Sequence, residues 1–462
     1  MTIHYQDDTV TLHHGDCLDI LRTLPDSSVD SVVTDPPYGI AFMGKQWDQP
    51  GEFGSTRSAG TPGIHRRGRE RTDDQIGDTG AMDAGRYDLS PSAMRNFQNW
   101  CEAWATECLR VLKPGGYIVS FGGSRTWHRL ASAVEDSGFE IRDSIAWLYG
   151  SGFPKSLDVG KAMDRAAGVE REVLAEGPPV KRMIPGADQN KTGSWIKDNG
   201  REFIPSVTAP STAAAQQWDG WGTALKPSFE PIVVGRKPLA GTVAANVTAY
   251  GTGALNINAC RVATTDTLKG SGGPPLKHGG MNARPFHATA VPRGVTQHEA
   301  GRWPTNVLLD DTQASELDHQ SGVRVAGGSV RGDEQSATGD NGIYGHYDRA
   351  AWSGYGDTGG ASRFFPTFRY EAKAPSSERP SVDGVQHPTV KPLDLMRWLV
   401  RLVTPPNGTV LEPFAGSGTT AEACIHEHMR CIAIEREADY LPLIVKRITK
   451  PIEVGFNFEE VQ

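Results

Sequence analysis

Two segments near opposite ends of the chain share one construction. A short apolar strand runs without a break into a turn that has little conformational freedom. Ser31-Val32-Val33-Thr34 leads into Asp35-Pro36-Pro37-Tyr38-Gly39, and Thr409-Val410-Leu411 leads through Glu412-Pro413 into Phe414-Ala415-Gly416-Ser417-Gly418-Thr419-Thr420. Strands alternate with helices around both segments, which indicates a doubly wound sheet. Open sheets of that type present ligands at the carboxyl ends of their strands. Each turn is therefore expected to face a ligand.

The surrounding sequence alternates in the same way. Val10 and Leu12 mark a strand ending at Gly15-Asp16, and Leu18, Leu21 and Leu24 follow at helical spacing until Pro25-Asp26-Ser27-Ser28. Ser92 is expected to cap a helix whose face is Phe97, Trp100, Cys101, Trp104 and Cys108. Lys113-Pro114-Gly115-Gly116 is expected to end it. A strand at Tyr117 to Phe121, a helix ending near Gly138, and a strand through Ile141, Ile145, Trp147 and Leu148 come next. Short strands are also expected at Glu230 to Val234 and Asn306 to Leu309. In the last 80 or so residues, Pro392 stands at a first helical position before the stripe Leu393, Met396, Leu399, Val400 and Val403. A helix ending near His428 and a strand from Cys431 to Ile434, closed by Glu435, complete the pattern. The fold class is thus α/β, a Rossmann-like doubly wound sheet.

At 462 residues the chain exceeds one ordinary domain. Stretches 44–90, 180–223, 265–301 and 324–361 carry no sustained period and read as loops. The expected organisation is a catalytic half at 1–158, a loop-rich insertion for target recognition at 159–370 with a return to the core near 226–262, and a cofactor-binding half at 371–462.

Net charge is −8 and the pI about 5.9, which argues weakly against general coating of nucleic acid. A local basic face is still sufficient to meet phosphates. Arg57, His65, Arg66, Arg67, Arg69 and Arg71 form such a cluster, to be read either as a solvated loop or as a phosphate-contacting arm. None of the six cysteines forms a C-x-x-C pair, so no zinc site is expected and a reduced, cytoplasmic setting fits. The N-terminus lacks an apolar signal core, and no stretch approaches the roughly 20 apolar residues of a membrane helix.

Chemistry concentrates at the two turns. Successive prolines hold Asp35 to Tyr38 extended and remove two N–H donors. What remains is a set of acceptors, the Asp35 carboxylate and the Pro36 carbonyl, suited to gripping an amino group that donates two hydrogens. Tyr38 offers a flat face for a base. At the other turn, Gly416 and Gly418 allow close backbone approach, and Glu435 ends the next strand about 20 residues on, where an acid accepts from ribose hydroxyls. The turn lacks the third glycine of the dinucleotide fingerprint and suits a nucleoside carrying little or no phosphate. Asp16 reads equally as a helix N-cap and as an acceptor for an adenine amino group.

Taken together these motifs resemble the β class of DNA amino-methyltransferases, which methylate adenine N6 or cytosine N4. The resemblance rests on D-P-P-Y at 35–38 preceding F-A-G-S-G-T-T at 414–420, on His387-Pro388-Thr389-Val390-Lys391-Pro392, on Val111 to Gly116, and on the block from Phe229-Glu230-Pro231 to Lys237. It covers 9–155 and 380–450 well, and 226–240 in part. The family implies S-adenosyl-L-methionine as cofactor and an extruded base in double-stranded DNA as target. It implies that Asp35, Pro36, Pro37 and Tyr38 form the catalytic corner. It further implies cofactor contacts from Asp16, Cys17, Glu412, Pro413, Phe414, Gly416, Ser417, Gly418, Thr419 and Glu435, with Thr389 and Lys391 closing the methionine end. Glu412 departs from the family's usual aspartate. D-P-P-Y leans toward adenine, with cytosine N4 the alternative and a noncatalytic DNA-binding protein on the same fold the rival from another class. A second copy of the chain is a further candidate partner. Direct methyl transfer from sulfonium to nitrogen is the expected reaction, with positioning supplying most of the rate.

Overall fold

The computed structural model describes residues 2–40, 48, 89–150, 156–181, 202–264, 301–325, 358–368 and 379–450. The basic cluster from Arg57 to Arg71 lies outside them, as do most of the loop stretches read at 44–90, 265–301 and 324–361.

A ten-stranded sheet organises the described residues. Its strands are β1 (Thr2–Gln6), β2 (Val10–His14), β3 (Val29–Thr34), β4 (Leu112–Phe121), β5 (Glu140–Leu148), β6 (Phe229–Arg236), β7 (Val307–Asp310), β8 (Thr367–Phe368), β9 (Thr409–Glu412) and β10 (Arg430–Glu435). Across the sheet they run β1-β2-β10-β9-β3-β4-β6-β5-β7-β8. The pairs β2/β10, β10/β9, β9/β3 and β3/β4 are parallel. β6 lies antiparallel between β4 and β5. The two apolar strands separated by nearly the whole sequence are therefore direct neighbours, with Val410 opposite Ser31 and Leu411 opposite Val32.

Helices cover both faces, so the strands read as apolar runs. On one face pack α1 (Cys17–Leu21), α2 (Pro91–Val111) and α3 (Trp127–Asp136), which meet Val32, Ile118, Val233 and Leu411. The other face receives Val33, Val119, Val234 and Val410, covered by helices Leu393–Val403, Thr419–His426 and Leu441–Ile448. Burying this many aliphatic and aromatic side chains, at roughly 1.5–3 kcal/mol each, is what offsets the cost of ordering the chain.

Several boundaries depart from expectation. Ser90, not Ser92, caps α2 because Pro91 takes the first helical position, where its missing N–H costs nothing. The helix ends at Val111, just before Lys113, but Lys113 to Gly116 then bulges inside β4: Leu112 pairs with Val29 and Tyr117 with Ser31. Pro392 is the residue before its helix and not the first within it. Besides β6, which falls at the expected return near 226–262, the stretch 159–370 contributes β7 and β8 to the main sheet. It also holds a small module made of helix Val159–Ala167, the hairpin Val173–Glu176/Ser206–Thr208 and helix Ala213–Gln217. Buried Asp164 ties that module together by accepting from Arg171 Nε, the Ser211 and Thr212 amides and the Thr212 hydroxyl.

Candidate active site

Strand polarity decides what meets at one edge of the sheet. Parallel strands β2, β10, β9, β3 and β4 end on the same side, and antiparallel β6 begins there. Asp16, Glu435, Glu412, Asp35 and Glu230 are thereby delivered to the rim of a single cavity of about 870 Å³. That is within the usual range for a site that takes a small molecule.

Every catalytic or cofactor-contact residue expected from the sequence lines this cavity except Gly418. Gly418 instead starts the helix Thr419–His426 in a left-handed conformation (φ +80°), and a Cβ there would stand 3.0 Å from Ile444 Cγ2. Its small size serves helix packing. Gly416 (φ +52°) does face the cavity, with the His387 ring 3.2 Å from where a Cβ would be. His387 in turn packs edge-on against Tyr440, ring centroids 4.6 Å apart.

The D-P-P-Y corner is a charged knot. Tyr38 Oη donates to Asp35 Oδ1 at 2.8 Å. Lys391 Nζ lies 3.1 Å from Asp35 Oδ2, 2.9 Å from Glu230 Oε2 and 3.0 Å from Tyr38 Oη. An ammonium has three donors, and all three are matched. The cation also sits 4.6 Å from the centroid of the Phe121 ring. Burial works against the charged form of Lys391, but Asp35 and Glu230 outweigh it and hold the pKa above its ordinary value. Burial, aided by Asp35 and Glu230, pushes the Tyr38 phenol well above its usual range, so it stays a neutral donor. Lys391, expected at the methionine end of the cofactor, lines the same cavity and finds these partners at the D-P-P-Y corner. Thr389 lies beside His387, its amide donating to Nδ1 at 3.3 Å. Beyond the corner, Asp48 is buried and accepts from the Gly39 amide at 2.6 Å.

The glycine turn is built around two buried acids. Glu412 accepts from Thr34 Oγ1 and the Phe414 amide at Oε1, and from Thr420 Oγ1 at Oε2. Burial pushes its carboxyl up to about 8, against those hydrogen bonds. The methylene that distinguishes it from aspartate is used to span from β9 to β3. Glu435 accepts from the Glu437 and Gly416 amides at 2.8 and 2.7 Å, stapling the turn to the end of β10. Burial pushes its carboxyl up to about 7. Phe414 stands beside Trp100 and Trp104, centroids 5.5 and 5.4 Å away, giving one apolar wall. Asp16 caps α1 by accepting from the Leu18 amide at 2.9 Å, and it also lines the cavity. Cys17, beside it, is buried, and burial with Asp16 lifts its thiol to about 12. It stays protonated and contributes packing.

Sequence reasoning missed Glu230 and His387 as site residues. Both lay in motif blocks already noticed, but only the antiparallel placement of β6 shows that Glu230 arrives beside Asp35.

A family model described as DNA methylase, of the N6/N4 type, matches residues 29–165 and 277–446, about two thirds of the chain. Type II methyltransferase M.HindIII of Haemophilus influenzae is 22% identical over 446 residues, spanning 95% of this chain and 94% of its own. M.HinfI of Haemophilus influenzae is 26% identical over 137 residues, 30% of this chain and 31% of its own. Among solved structures, the PvuII cytosine-N4-specific DNA methyltransferase overlaps at a TM-score of 0.39 with 12% identity, covering 97% of this chain and 89% of that one. The M1.HpyAVI–SAM complex overlaps at 0.35 with 14% identity, covering 96% and 100%.

Proposed function

The chain belongs to the DNA methylase family of the N6/N4 type, and on that premise we propose that it transfers a methyl group from S-adenosyl-L-methionine to the N6 amino group of an adenine extruded from double-stranded DNA. One observation carries the reading: the D-P-P-Y corner and the glycine turn line the same cavity on adjacent parallel strands.

The donor set suits the cofactor. Asp16 and Glu435 offer acceptors for the amino and hydroxyl groups of a nucleoside, Phe414 and Trp100 offer apolar walls, and Gly416 leaves the backbone bare beneath His387. Pro413, Ser417, Thr419 and Thr389 complete that end of the cavity. When bound, the cofactor supplies an electrophilic methyl on a positively charged sulfur.

At the other end, Asp35 and the Pro36 carbonyl accept the two hydrogens of the target amino group. Each Asp35 oxygen already receives one donor, from Tyr38 or Lys391, and retains a further acceptor direction. Pro37 keeps the corner stiff, and the Tyr38 ring gives the base a surface to stack on. These acceptors stabilise the positive charge that forms on the amino nitrogen, the kind of preorganised electrostatic aid that carries much of a rate enhancement, and the nitrogen becomes neutral again by releasing one proton to solvent along its hydrogen bond to Asp35. The small module from helix Val159–Ala167 to helix Ala213–Gln217 is assigned to target recognition, while β6, β7 and β8 of the 159–370 stretch belong to the catalytic sheet.

The test is Asp35→Ala in a tritium-transfer assay with labelled S-adenosyl-L-methionine and unmodified duplex DNA. Wild type incorporates label, and the variant loses incorporation by at least about 100-fold while its melting curve is retained. Near-normal incorporation by the variant removes the assignment.

A further inference from the structure

Glu230 makes no hydrogen bond to Asp35 or Tyr38 in the structure, yet both reach it through Lys391. We propose that Glu230 is a positioning residue which shares the Lys391 ammonium with Asp35 and so keeps the D-P-P-Y corner anionic when the target nitrogen gains positive charge. The inference rests on the amino-methyl transfer proposed above.

An ammonium paired with Asp35 alone would cancel the charge that the reaction needs. Two carboxylates against one ammonium leave one net negative charge at the corner. Side-chain exposures of 12% for Lys391 and 24% for both acids mean that water screens this balance only in part. Glu230 also fixes Lys391 geometrically. With its 2.9 Å contact in place, the ammonium's remaining two donors are directed to Asp35 Oδ2 and Tyr38 Oη. Topology makes this arrangement available. Glu230 is the second residue of β6, whose antiparallel course between β4 and β5 brings its start to the ligand edge.

The test measures single-turnover methylation of long unmodified duplex DNA by the full-length enzyme. Glu230→Gln is expected to slow the methyl-transfer step by about 10- to 100-fold, with half-saturation for DNA and for S-adenosyl-L-methionine changed less than about threefold. Glu230→Asp, which keeps the charge, is expected to stay within about fivefold of wild type. The double variant Glu230→Gln/Lys391→Met restores one net negative charge and is expected to be at least about fivefold faster than Glu230→Gln alone, a recovery that loss of a structural contact would not produce. A Glu230→Gln enzyme as fast as wild type, or a double variant no faster than the single, overturns the proposal. Wild-type enzyme that fails to methylate the same DNA removes the underlying function as well, so the two failures are distinguishable.

Discussion

Thr34 Oγ1 donates to Glu412 Oε1 at 2.5 Å, joining side chains 378 positions apart at the ends of adjacent parallel strands. Thr34 immediately precedes Asp35, and Glu412 opens the glycine turn. The bond is therefore a direct link between the D-P-P-Y corner and the glycine turn. Burial favours the neutral acid at Glu412, against the hydrogen bonds its carboxyl accepts from Thr34, Phe414 and Thr420.

That protonation has a sign in stability. Glu412 and Glu435, raised by burial to about 8 and about 7 from an ordinary 4.5, hold protons in the folded state that the unfolded chain releases. Between roughly pH 4.5 and 8 the native state binds more protons than the unfolded one, so these two groups make stability fall as pH rises and then level off. Thermal unfolding followed from pH 5 to 9 is expected to show a shallower decline for Glu412→Gln than for wild type. An unchanged slope would contradict the neutral-acid assignment.

The two glycines of the turn should fail differently. Gly418→Ala places a Cβ 3.0 Å from Ile444 in a left-handed backbone and is expected to cost about 1–3 kcal/mol of stability. Gly416→Ala shares the unfavourable backbone conformation, but its Cβ points at His387 on the cavity wall. Calorimetric titration with S-adenosylhomocysteine is expected to show about tenfold or greater loss of affinity for Gly416→Ala, once binding is corrected for the folded fraction, and little loss for folded Gly418→Ala. Equal binding losses would mean that Gly418 also contacts the ligand.

Trp100 and Phe414 line the cavity side by side. Cofactor binding is expected to change tryptophan emission in wild type, and Trp100→Phe is expected to lose most of that change while still binding. A full response in the variant would place the ligand away from this wall.

Legibility followed burial. The strands Ser31–Thr34 and Thr409–Glu412 were readable because helices cover both sheet faces and leave unbroken apolar runs, and both turns followed directly from them. β1 was not expected: Thr2 to Gln6 is an exposed edge strand held by its ladder to β2, with little apolar signal. Helix Asp311–Ser321 escaped for a similar reason, burying only Ala314. Lys113-Pro114-Gly115-Gly116 carries every local sign of a stop, and only pairing with β3 turns it into a bulge within a strand. At the site, residues adjacent in sequence to a turn could be found from the turn. Glu230 and the pairing of Lys391 could not, because an antiparallel strand inserted from the middle of the chain is a tertiary fact.

The most direct measurement is identification of the modified nucleoside. Duplex DNA incubated with the enzyme and S-adenosyl-L-methionine, digested to nucleosides and resolved by mass spectrometry, is predicted to yield N6-methyldeoxyadenosine from wild type and none from Asp35→Ala. N4-methyldeoxycytidine in its place would contradict the assigned base, and DNA left without any methylated nucleoside would contradict the transfer itself.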